Sequence, residues 1–146
     1  MMRFPSLTQK PGRNDAIAGM LDVAPTILDL CGLPANAQNE GQSLKPLLMD
    51  PDSAWPHLAR TTYGVGNVTL RDRTHRYTRY EDGTEELYDM VKDPNEWTNL
   101  AGKAGSGPII ERFKPHLPKA QAPLAKHSSY TINAYWRQKV KESRGE

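Results

Sequence analysis

The first clear pattern of apolar and polar positions lies in the stretch DVAPTILDLCGLP, which begins at Asp22. Its apolar residues recur at helical spacing, and they are Val23, Ile27, Leu28, Leu30 and Cys31. We expect a short helix with this face buried and with Asp22 as its cap, while Pro25 is tolerated in the first turn. Gly32 suits the left-handed position after the last turn, and Pro34 prevents continuation of the helix.

A smaller version of this pattern follows in GQSLKPLL, where Ser43 is the predicted cap before Leu44, Leu47 and Leu48. The next segment, MDPDSAWPH at residues 49–57, lacks such periodicity and predicts an exposed linker. We therefore place a boundary there.

Beyond the linker the pattern changes to short segments typical of strands, which are LARTTYG, NVTLRD, HRYTRY and EELYDM. Turn-forming residues separate them, and the adjacent Asp82 and Gly83 are a strong hairpin signal. Because short connections join antiparallel neighbours, the sequence predicts a meander of about four strands.

The following segment, GPIIERFKPHL, predicts a helix that covers one face of this sheet. Its apolar residues at helical spacing are Ile109, Ile110, Phe113 and Leu117. Pro115 should kink the helix or end it early, because proline lacks the N–H that a helix interior needs.

Composition narrows the class of protein. The 146 residues include 11 glycines and 12 prolines, which indicates many turns and loops, while a net charge of only +2 argues against wholesale disorder. The single cysteine, Cys31, excludes an internal disulfide framework and a cysteine-rich zinc site.

No apolar run approaches the length of a membrane span, and MMRFPSLTQKPGR has no apolar signal-peptide core. We expect no membrane partner, and either a cytosolic chain or one whose true N-terminus is missing.

The stretch EELYDMVKDPNEWTNLAG, residues 85–102, concentrates acids and amides that could hold a metal or turn the chain. An EF-hand loop needs glycine at its sixth position and a bidentate glutamate at its twelfth. Counted from Asp89 or Asp93, neither residue falls where it is required, and Trp97 occupies a ligand position. We therefore predict no calcium site, and instead a turn at Asp93 after which Trp97 and Leu100 pack back onto the core.

No other group of residues matches a catalytic constellation. Cys31 lies on the apolar helix face with no basic neighbour to activate it, so a buried structural thiol is predicted. Ser43 lacks the second glycine of a nucleophile elbow, and Gly64 and Gly66 lack the third glycine of a dinucleotide loop. No spacing places two of the four histidines on one helix face, and they are His57, His75, His116 and His127. We predict no catalytic and no metal-binding residue.

A basic and aromatic strand pair remains as a candidate binding surface, and its members are Arg71, Arg73, His75, Arg76, Tyr77, Arg79 and Tyr80. Guanidinium groups bind phosphate or sulfate and tyrosine offers a stacking face, so the alternative function is a stand-alone module for a sulfated glycan or nucleic acid. Acidic neighbours largely cancel the positive charge of this surface, and they are Asp72, Glu81, Asp82, Glu85 and Glu86. A solvated sheet face is the preferred interpretation, and nucleic acid is not the expected partner.

Taken in order, LDVAPTILDLCGLP, GQSLKPLL, TTYGVGNVTLRDRTHRYTRYEDGTEELYDMVKDPNEWTNLAG and the closing helix resemble the C-terminal portion of a type I sulfatase. The resemblance runs from about Arg3 to Lys119 and is closest to the iduronate-2-sulfatase-like branch of the alkaline phosphatase superfamily. It implies an α/β protein whose part seen here is α+β. Residues 1–50 would end the catalytic domain, residues 58–118 would form a four-stranded antiparallel sheet packed against a helix, and residues 119–146 would be a tail.

The resemblance also implies hydrolysis of a sulfate ester by a cysteine oxidised to formylglycine in a C-x-P-x-R motif, beside a calcium ion. Cys31 is followed by GLPA, so the proline is one place late and the arginine is absent. We expect the catalytic cysteine, the metal ligands and the sulfate-binding lysine to lie upstream of Met1. Calcium and formylglycine would belong to a full-length parent enzyme, periplasmic or secreted, and this chain alone would be inactive.

One position could still contact substrate under this resemblance. The loop GVGN, residues 64–67, resembles a sulfatase loop near the mouth of the active site, where related sequences often carry histidine after the asparagine. Here that place is Val68, so Asn67 is the expected substrate-binding residue. The chain would then contribute one wall of a pocket for the sulfate ester.

Overall fold

The structure is a computed structural model that describes residue 7 and residues 12–122. Most of the tail expected at residues 119–146 lies outside the described residues, and so does His127. No helix in the described part of the chain combines the length and the apolar character that crossing a membrane requires.

Two short helices form the N-terminal part. A 3-10 turn, Met20–Asp22, leads into helix α1, Val23–Leu30, and helix α2 spans Lys45–Met49. Gly32 follows α1 with a φ of 67°, which confirms the predicted left-handed residue after the last turn.

Asp22 occupies the predicted N-cap position of α1, but it does not cap the helix with its side chain. The 3-10 turn starts the helical segment one turn earlier, and Asp22 makes no side-chain cap hydrogen bond to α1. Its buried carboxylate accepts the N–H of Gly19 at 2.7 Å through Oδ2 and the N–H of Gln42 at 2.8 Å through Oδ1. Asp22 therefore ties the start of α1 to the loop before α2.

The predicted burial of the apolar face of α1 is only partly right. Ile27 is 54% exposed and Cys31 is exposed, so the thiol is not the buried structural group that the pattern indicated. The fully buried residue of α1 is Thr26, whose hydroxyl donates to the carbonyl of Asp22 at 2.5 Å and accepts the N–H of Leu44 at 2.9 Å. The helix that packs against α1 is α2, which has five residues and is too short to cover the whole stripe.

Ser43 lies one residue before the N-cap of α2, which is Leu44. Its hydroxyl accepts the N–H of Lys45 at 3.2 Å and donates to Asp29 of α1 at 2.7 Å. The ammonium of Lys45 lies 2.8 Å from the same carboxylate. The hydrogen bond from Lys45, and to a smaller extent that from Ser43, lowers the pKa of Asp29. The predicted cap thus bridges the two helices.

The sheet confirms the predicted antiparallel meander. Its strands are β1, Ala59–Thr62; β2, Val68–Arg71; β3, His75–Arg79; and β4, Glu85–Asp89, and their spatial order is the order in sequence. The hairpin between β3 and β4 closes through the N–H of Tyr80, which donates to the carbonyl of Thr84 at 2.9 Å, and Gly83 has a φ of 84°. The residues at this turn therefore do what their types predict.

Helix α3, Gly107–Phe113, covers one face of the sheet and continues as a 3-10 turn, Lys114–His116. The early end at Pro115 is as predicted. The core comprises Val68, Leu70, Tyr77, Leu87, Ile110, Phe113 and Leu117. The rings of Tyr77 and Phe113 stack with centroids 5.7 Å apart, and the Tyr77 hydroxyl donates to Glu85 at 2.5 Å. The expected α+β arrangement is confirmed.

Two acids within residues 85–102 turn the chain by accepting backbone N–H groups. Asp89 accepts those of Val91 and Lys92, each at 3.0 Å, and Asp93 accepts that of Thr98 at 2.8 Å. Leu100 packs against the core as predicted.

The predicted packing of Trp97 is wrong, because this side chain is 84% exposed. The turn does not need the indole as an anchor. The neighbouring Glu96 has a left-handed φ of 60° and forms an ion pair with Arg76 of β3, so a charged contact fixes the turn against the sheet.

The segment after this turn runs alongside β4. The side-chain oxygen of Asn99 accepts the N–H of Leu87 at 3.0 Å, and its amide nitrogen donates to the carbonyl of Glu85 at 3.3 Å. The N–H of Leu100 donates to the carbonyl of Leu87 at 2.8 Å. The outer edge of β4 is thereby hydrogen-bonded to residues 99 and 100.

Candidate functional site

The loop at residues 64–67 joins β1 to β2 and is closely packed. Gly64 and Gly66 have φ values of 68° and 84°, which L residues rarely adopt. A Cβ atom on Gly66 would lie 2.7 Å from the Cβ of Glu81, so the loop touches the β3–β4 turn directly. The N–H of Gly66 donates to Gln121 at 2.6 Å, which adds a second contact to this loop.

Asn67 uses its side chain to hold the loop. Its Oδ1 accepts the N–H of Glu81 at 3.2 Å, its Nδ2 donates to the carbonyl of Val65 at 3.2 Å, and its own carbonyl accepts the N–H of Tyr63 at 3.0 Å. An amide side chain offers two N–H donors and two acceptor lone pairs, so one of each is not used by these contacts. Asn67 is half-buried, and these unused positions are what it can offer to a ligand.

Asn67 lies at one end of a depression on the sheet face opposite α3, which we call the outer groove. The groove has a volume of about 430 Å³ and is lined by Thr61, Tyr63, Asn67, Thr69, Arg76, Thr78, Tyr80 and Glu86. Strand alternation explains its polarity, because Leu70, Tyr77 and Leu87 point to the core and their neighbours point to the groove. The hydroxyls of Thr69 and Thr78 lie 3.0 Å apart across β2 and β3.

The charge of Arg76 in the outer groove is balanced within the protein. Its guanidinium pairs with Glu96 and lies 5.6 Å from the ring centroid of Tyr88, while its buried Nε has no hydrogen-bond partner among the described residues. Burial, and then a hydrogen bond to Glu86, raise the pKa of Tyr80, which therefore stays a neutral hydroxyl near pH 7. The groove suits hydroxyl groups of a ligand better than a free anion.

The basic and aromatic residues of β2 and β3 do not form one surface. Because side chains alternate along a strand, Arg76 and Tyr80 face the outer groove, whereas Tyr77 is fully buried against α3. A stacking platform flanked by arginines is therefore absent from these strands. This arrangement does not favour a polyanion-binding module.

The described residues do not fit the calcium ion or the formylglycine that the resemblance implies. Cys31 is exposed at the end of α1 and has the wrong residues around it for the C-x-P-x-R motif. Within residue 7 and residues 12–122, no three or more His, Cys, Asp and Glu side chains are grouped as metal ligands would be. Within residues 85–102, Asp89 and Asp93 are already bound to backbone N–H groups, and Glu96 is paired with Arg76.

Sequence reasoning missed most of the outer groove. Thr61, Thr69 and Thr78 lie in register on three adjacent strands, since Thr61 pairs with Thr69 and Thr69 with Thr78. Aligning the segments of the predicted meander would have shown this row. The resemblance supplied Asn67 alone.

Comparisons with known proteins agree with this geometry. The model of the family described as "N-sulphoglucosamine sulphohydrolase, C-terminal" matches residues 1–123. A sulfatase of Formosa agariphila is 42% identical over 122 residues, covering 84% of this chain and 24% of the relative. A Delta 4,5-hexuronate-2-O-sulfatase of Bacteroides thetaiotaomicron is 37% identical over 91 residues, covering 56% of this chain and 19% of the relative.

A solved structure shows the same fold. The crystal structure of a putative sulfatase from Bacteroides thetaiotaomicron aligns with a TM-score of 0.50 at 31% identity, covering 66% of this chain and 23% of that one. The chain spans about a fifth to a quarter of the length of these relatives. The chain therefore belongs to the N-sulphoglucosamine sulphohydrolase C-terminal family, and it corresponds to the C-terminal part of a sulfatase of the alkaline phosphatase superfamily.

Proposed function

We propose that this chain serves a sulfuric ester hydrolase as its C-terminal part, forming one wall of the substrate pocket while another part supplies the nucleophile and the metal ligands. The observation that carries the proposal is the family match over residues 1–123. The sequence around Cys31 adds support, because it lacks the motif in which sulfatases generate formylglycine. Calcium and formylglycine belong, in this proposal, to the part of the enzyme that this chain does not contain.

The wall comprises the loop at residues 64–67 and the adjoining outer groove. Asn67 donates one hydrogen bond and accepts two, and these bonds and the contact of Gly66 with Glu81 fix the loop, so its free polar positions are preorganised. Preorganised groups bind a ligand at a lower entropic cost than mobile ones do. Asn67 is the proposed contact with the alcohol part of the ester.

The proposed substrate class is a sulfate ester of a sugar. The matching family takes its name from an N-sulphated glucosamine, and the Bacteroides relative is named for a 2-O-sulfated hexuronate. The outer groove presents a row of hydroxyl groups, which can exchange hydrogen bonds with those of a sugar ring.

The first test is an activity assay of the purified chain with a reactive aryl sulfate in the presence of calcium. We expect no turnover above the protein-free background, because sulfate ester hydrolysis needs an activated nucleophile and donors aimed at the developing charge. The Cys31→Ala variant is the matched control. Turnover by the chain that disappears in Cys31→Ala would place the nucleophile inside this chain and refute the proposal.

The second test is to determine the DNA sequence of the gene upstream of the Met1 codon. A C-x-P-x-R motif there, in frame or behind a frameshift, supports the proposal, whereas an unrelated reading frame contradicts it. In the longer product, Asn67→Ala should raise KM for a sulfated sugar and leave kcat for a small aryl sulfate unchanged. An unchanged KM for the sulfated sugar would show that Asn67 does not contact the substrate.

A further inference from the structure

A second pocket lies at the end of the sheet opposite the loop at residues 64–67. It has a volume of about 360 Å³, and we call it the Trp55 pocket. Four separate segments line it: Ile17; residues 55–58; residues 72–74 of the β2–β3 turn; and the end of α3 with Arg112, Phe113 and His116. Its volume lies in the lower part of the range usual for small-molecule sites, which suits a single ring.

One wall of the Trp55 pocket is apolar and fixed in position. The indole Nε1 of Trp55 donates to the carbonyl of Ile17 at 2.9 Å, and the ring of His57 meets the indole edge-on with centroids 4.6 Å apart. Leu58 and the buried Phe113 continue this wall towards the core. A half-buried indole held in this way offers a flat surface without having to be ordered by a ligand.

The only carboxylate among the residues that line the pocket is already neutralised. Asp72 lies 2.6 Å from the guanidinium of Arg112, and it also accepts the N–H groups of Thr74 and His75, each at 2.7 Å. Burial opposes its ionisation, but these hydrogen bonds outweigh that effect and hold the pKa of Asp72 below its ordinary value. Asp72 therefore stays ionised near pH 7 and cancels the charge of Arg112.

Three other polar side chains that line the pocket make no hydrogen bond or ion pair within the described structure. Arg73 is exposed and forms no ion pair with a described residue. The imidazoles of His57 and His116 are exposed and make no side-chain hydrogen bond within residues 12–122. Since Asp72 and Arg112 cancel, the pocket carries one uncompensated positive charge beside an aromatic wall.

We propose that the Trp55 pocket binds one anionic sugar ring, with the ring against Trp55 and its sulfate or carboxylate group on Arg73. A guanidinium binds either oxyanion through paired hydrogen bonds, and the imidazoles of His57 and His116 provide partners for ring hydroxyls. A purely apolar ligand would leave these groups unpaired.

This site is separate from the one that contains Asn67. Thr62 pairs with Val68 at the end of β1 and β2 that carries the Asn67 loop, and Ala59 pairs with Arg71 at the end near Trp55. The strands separate the two ends by roughly 10 Å, at about 3.3 Å per residue. The inference therefore stands or falls independently of the proposed function.

The test is a calorimetric titration of the whole purified chain with four probes: glucose 6-sulfate, glucuronate, glucose and inorganic sulfate. We expect saturable binding of glucose 6-sulfate or glucuronate, whichever oxyanion the site prefers, and weaker binding of glucose and of sulfate alone. Arg73→Ala should weaken binding of the preferred probe about tenfold or more, since a charge-assisted hydrogen bond is lost. Arg73 is exposed, so this variant should fold.

Arg71→Ala is the matched control, because Arg71 is an exposed arginine near the same turn that does not line the pocket. The affinity of Arg71→Ala for the preferred probe should equal that of the unmodified chain. Equal losses in Arg71→Ala and Arg73→Ala would show nonspecific attraction and overturn the proposal. So would equal binding of inorganic sulfate and glucose 6-sulfate, or no saturable binding of any probe.

Discussion

Gly66 and Gly83 share a φ of 84° but have different surroundings. A Cβ atom on Gly66 would lie 2.7 Å from the Cβ and 2.9 Å from the Cα of Glu81, whereas a Cβ atom on Gly83 would meet nothing within 4 Å. The two glycines therefore separate the cost of backbone strain from the cost of a steric clash.

We expect Gly83→Ala to lower the free energy of unfolding by about 1–2 kcal/mol, the usual cost of a left-handed L residue. Gly66→Ala should lower it further, because the backbone of Glu81 would also have to move. Urea denaturation of the two variants measures the difference. Equal losses would mean that the loop at residues 64–67 does not press against the β3–β4 turn as described.

Tyr77 carries a pH dependence of stability. Burial, and then the hydrogen bond to Glu85, raise the pKa of its phenol above the ordinary value of 10.0. A pKa that is raised in the folded state gives stability that is complete below the unfolded value and is lost as the pH rises towards the folded one. The chain should therefore lose stability above pH 10.0.

Tyr77→Phe should reduce this alkaline loss, because the phenol that resists ionisation is gone. It should also lower stability near neutrality, where Glu85 loses its donor. Urea denaturation near pH 7 and above pH 10.0 compares the two proteins. An alkaline loss as steep in Tyr77→Phe as in the unmodified chain would assign the effect to other groups.

At the scale of elements, the helices differ in how well the described structure covers them. Phe113 of α3 is fully buried against the sheet, whereas Ile27 of α1 is 54% exposed. Both are large apolar residues within helices, so replacement by alanine changes mainly their packing.

Phe113→Ala should cost about 3–5 kcal/mol of stability, as large truncations in a core do. Ile27→Ala should stay within about 0.5 kcal/mol, as exposed substitutions do. Thermal and urea unfolding measure both variants. A loss in Ile27→Ala close to that in Phe113→Ala would show that α1 is covered in solution by something outside the described structure.

The elements whose pattern is set by their own residues could be predicted from the sequence. The four strands, the hairpin at Asp82 and Gly83, and the end of α3 shortly before Pro115 follow from local periodicity and turn chemistry. The face of α1 and the position of Trp97 could not, because each depends on a distant partner. The short α2 leaves Ile27 exposed, and the pairing of Glu96 with Arg76 removes the need for Trp97 as an anchor.

At the scale of the whole molecule, both sites are formed by segments that lie far apart in the sequence, so the sequence alone could predict only part of each site. Asn67 was reached through a family resemblance, and its bond to Glu81 could not be read from spacing. The Trp55 pocket combines Ile17, the linker, a turn and α3, so no single stretch of sequence carries its pattern. Trp55 of the predicted linker is itself fixed to the N-terminal segment by its hydrogen bond to the carbonyl of Ile17.

The hydrogen bonds between β4 and residues 99 and 100 have a consequence for solubility. An edge strand with free N–H and C=O groups is a template for strand addition by another chain, the first step of sheet aggregation. Residues 99 and 100 form hydrogen bonds with the N–H and carbonyl of Leu87 and with the carbonyl of Glu85, so these groups of β4 cannot pair with another chain. The other edge of the sheet is β1, which has only four residues. Intermolecular strand pairing, where it occurs, should therefore begin at residues 59–62. The acid-rich stretch beyond β4 prevents such pairing at the β4 edge.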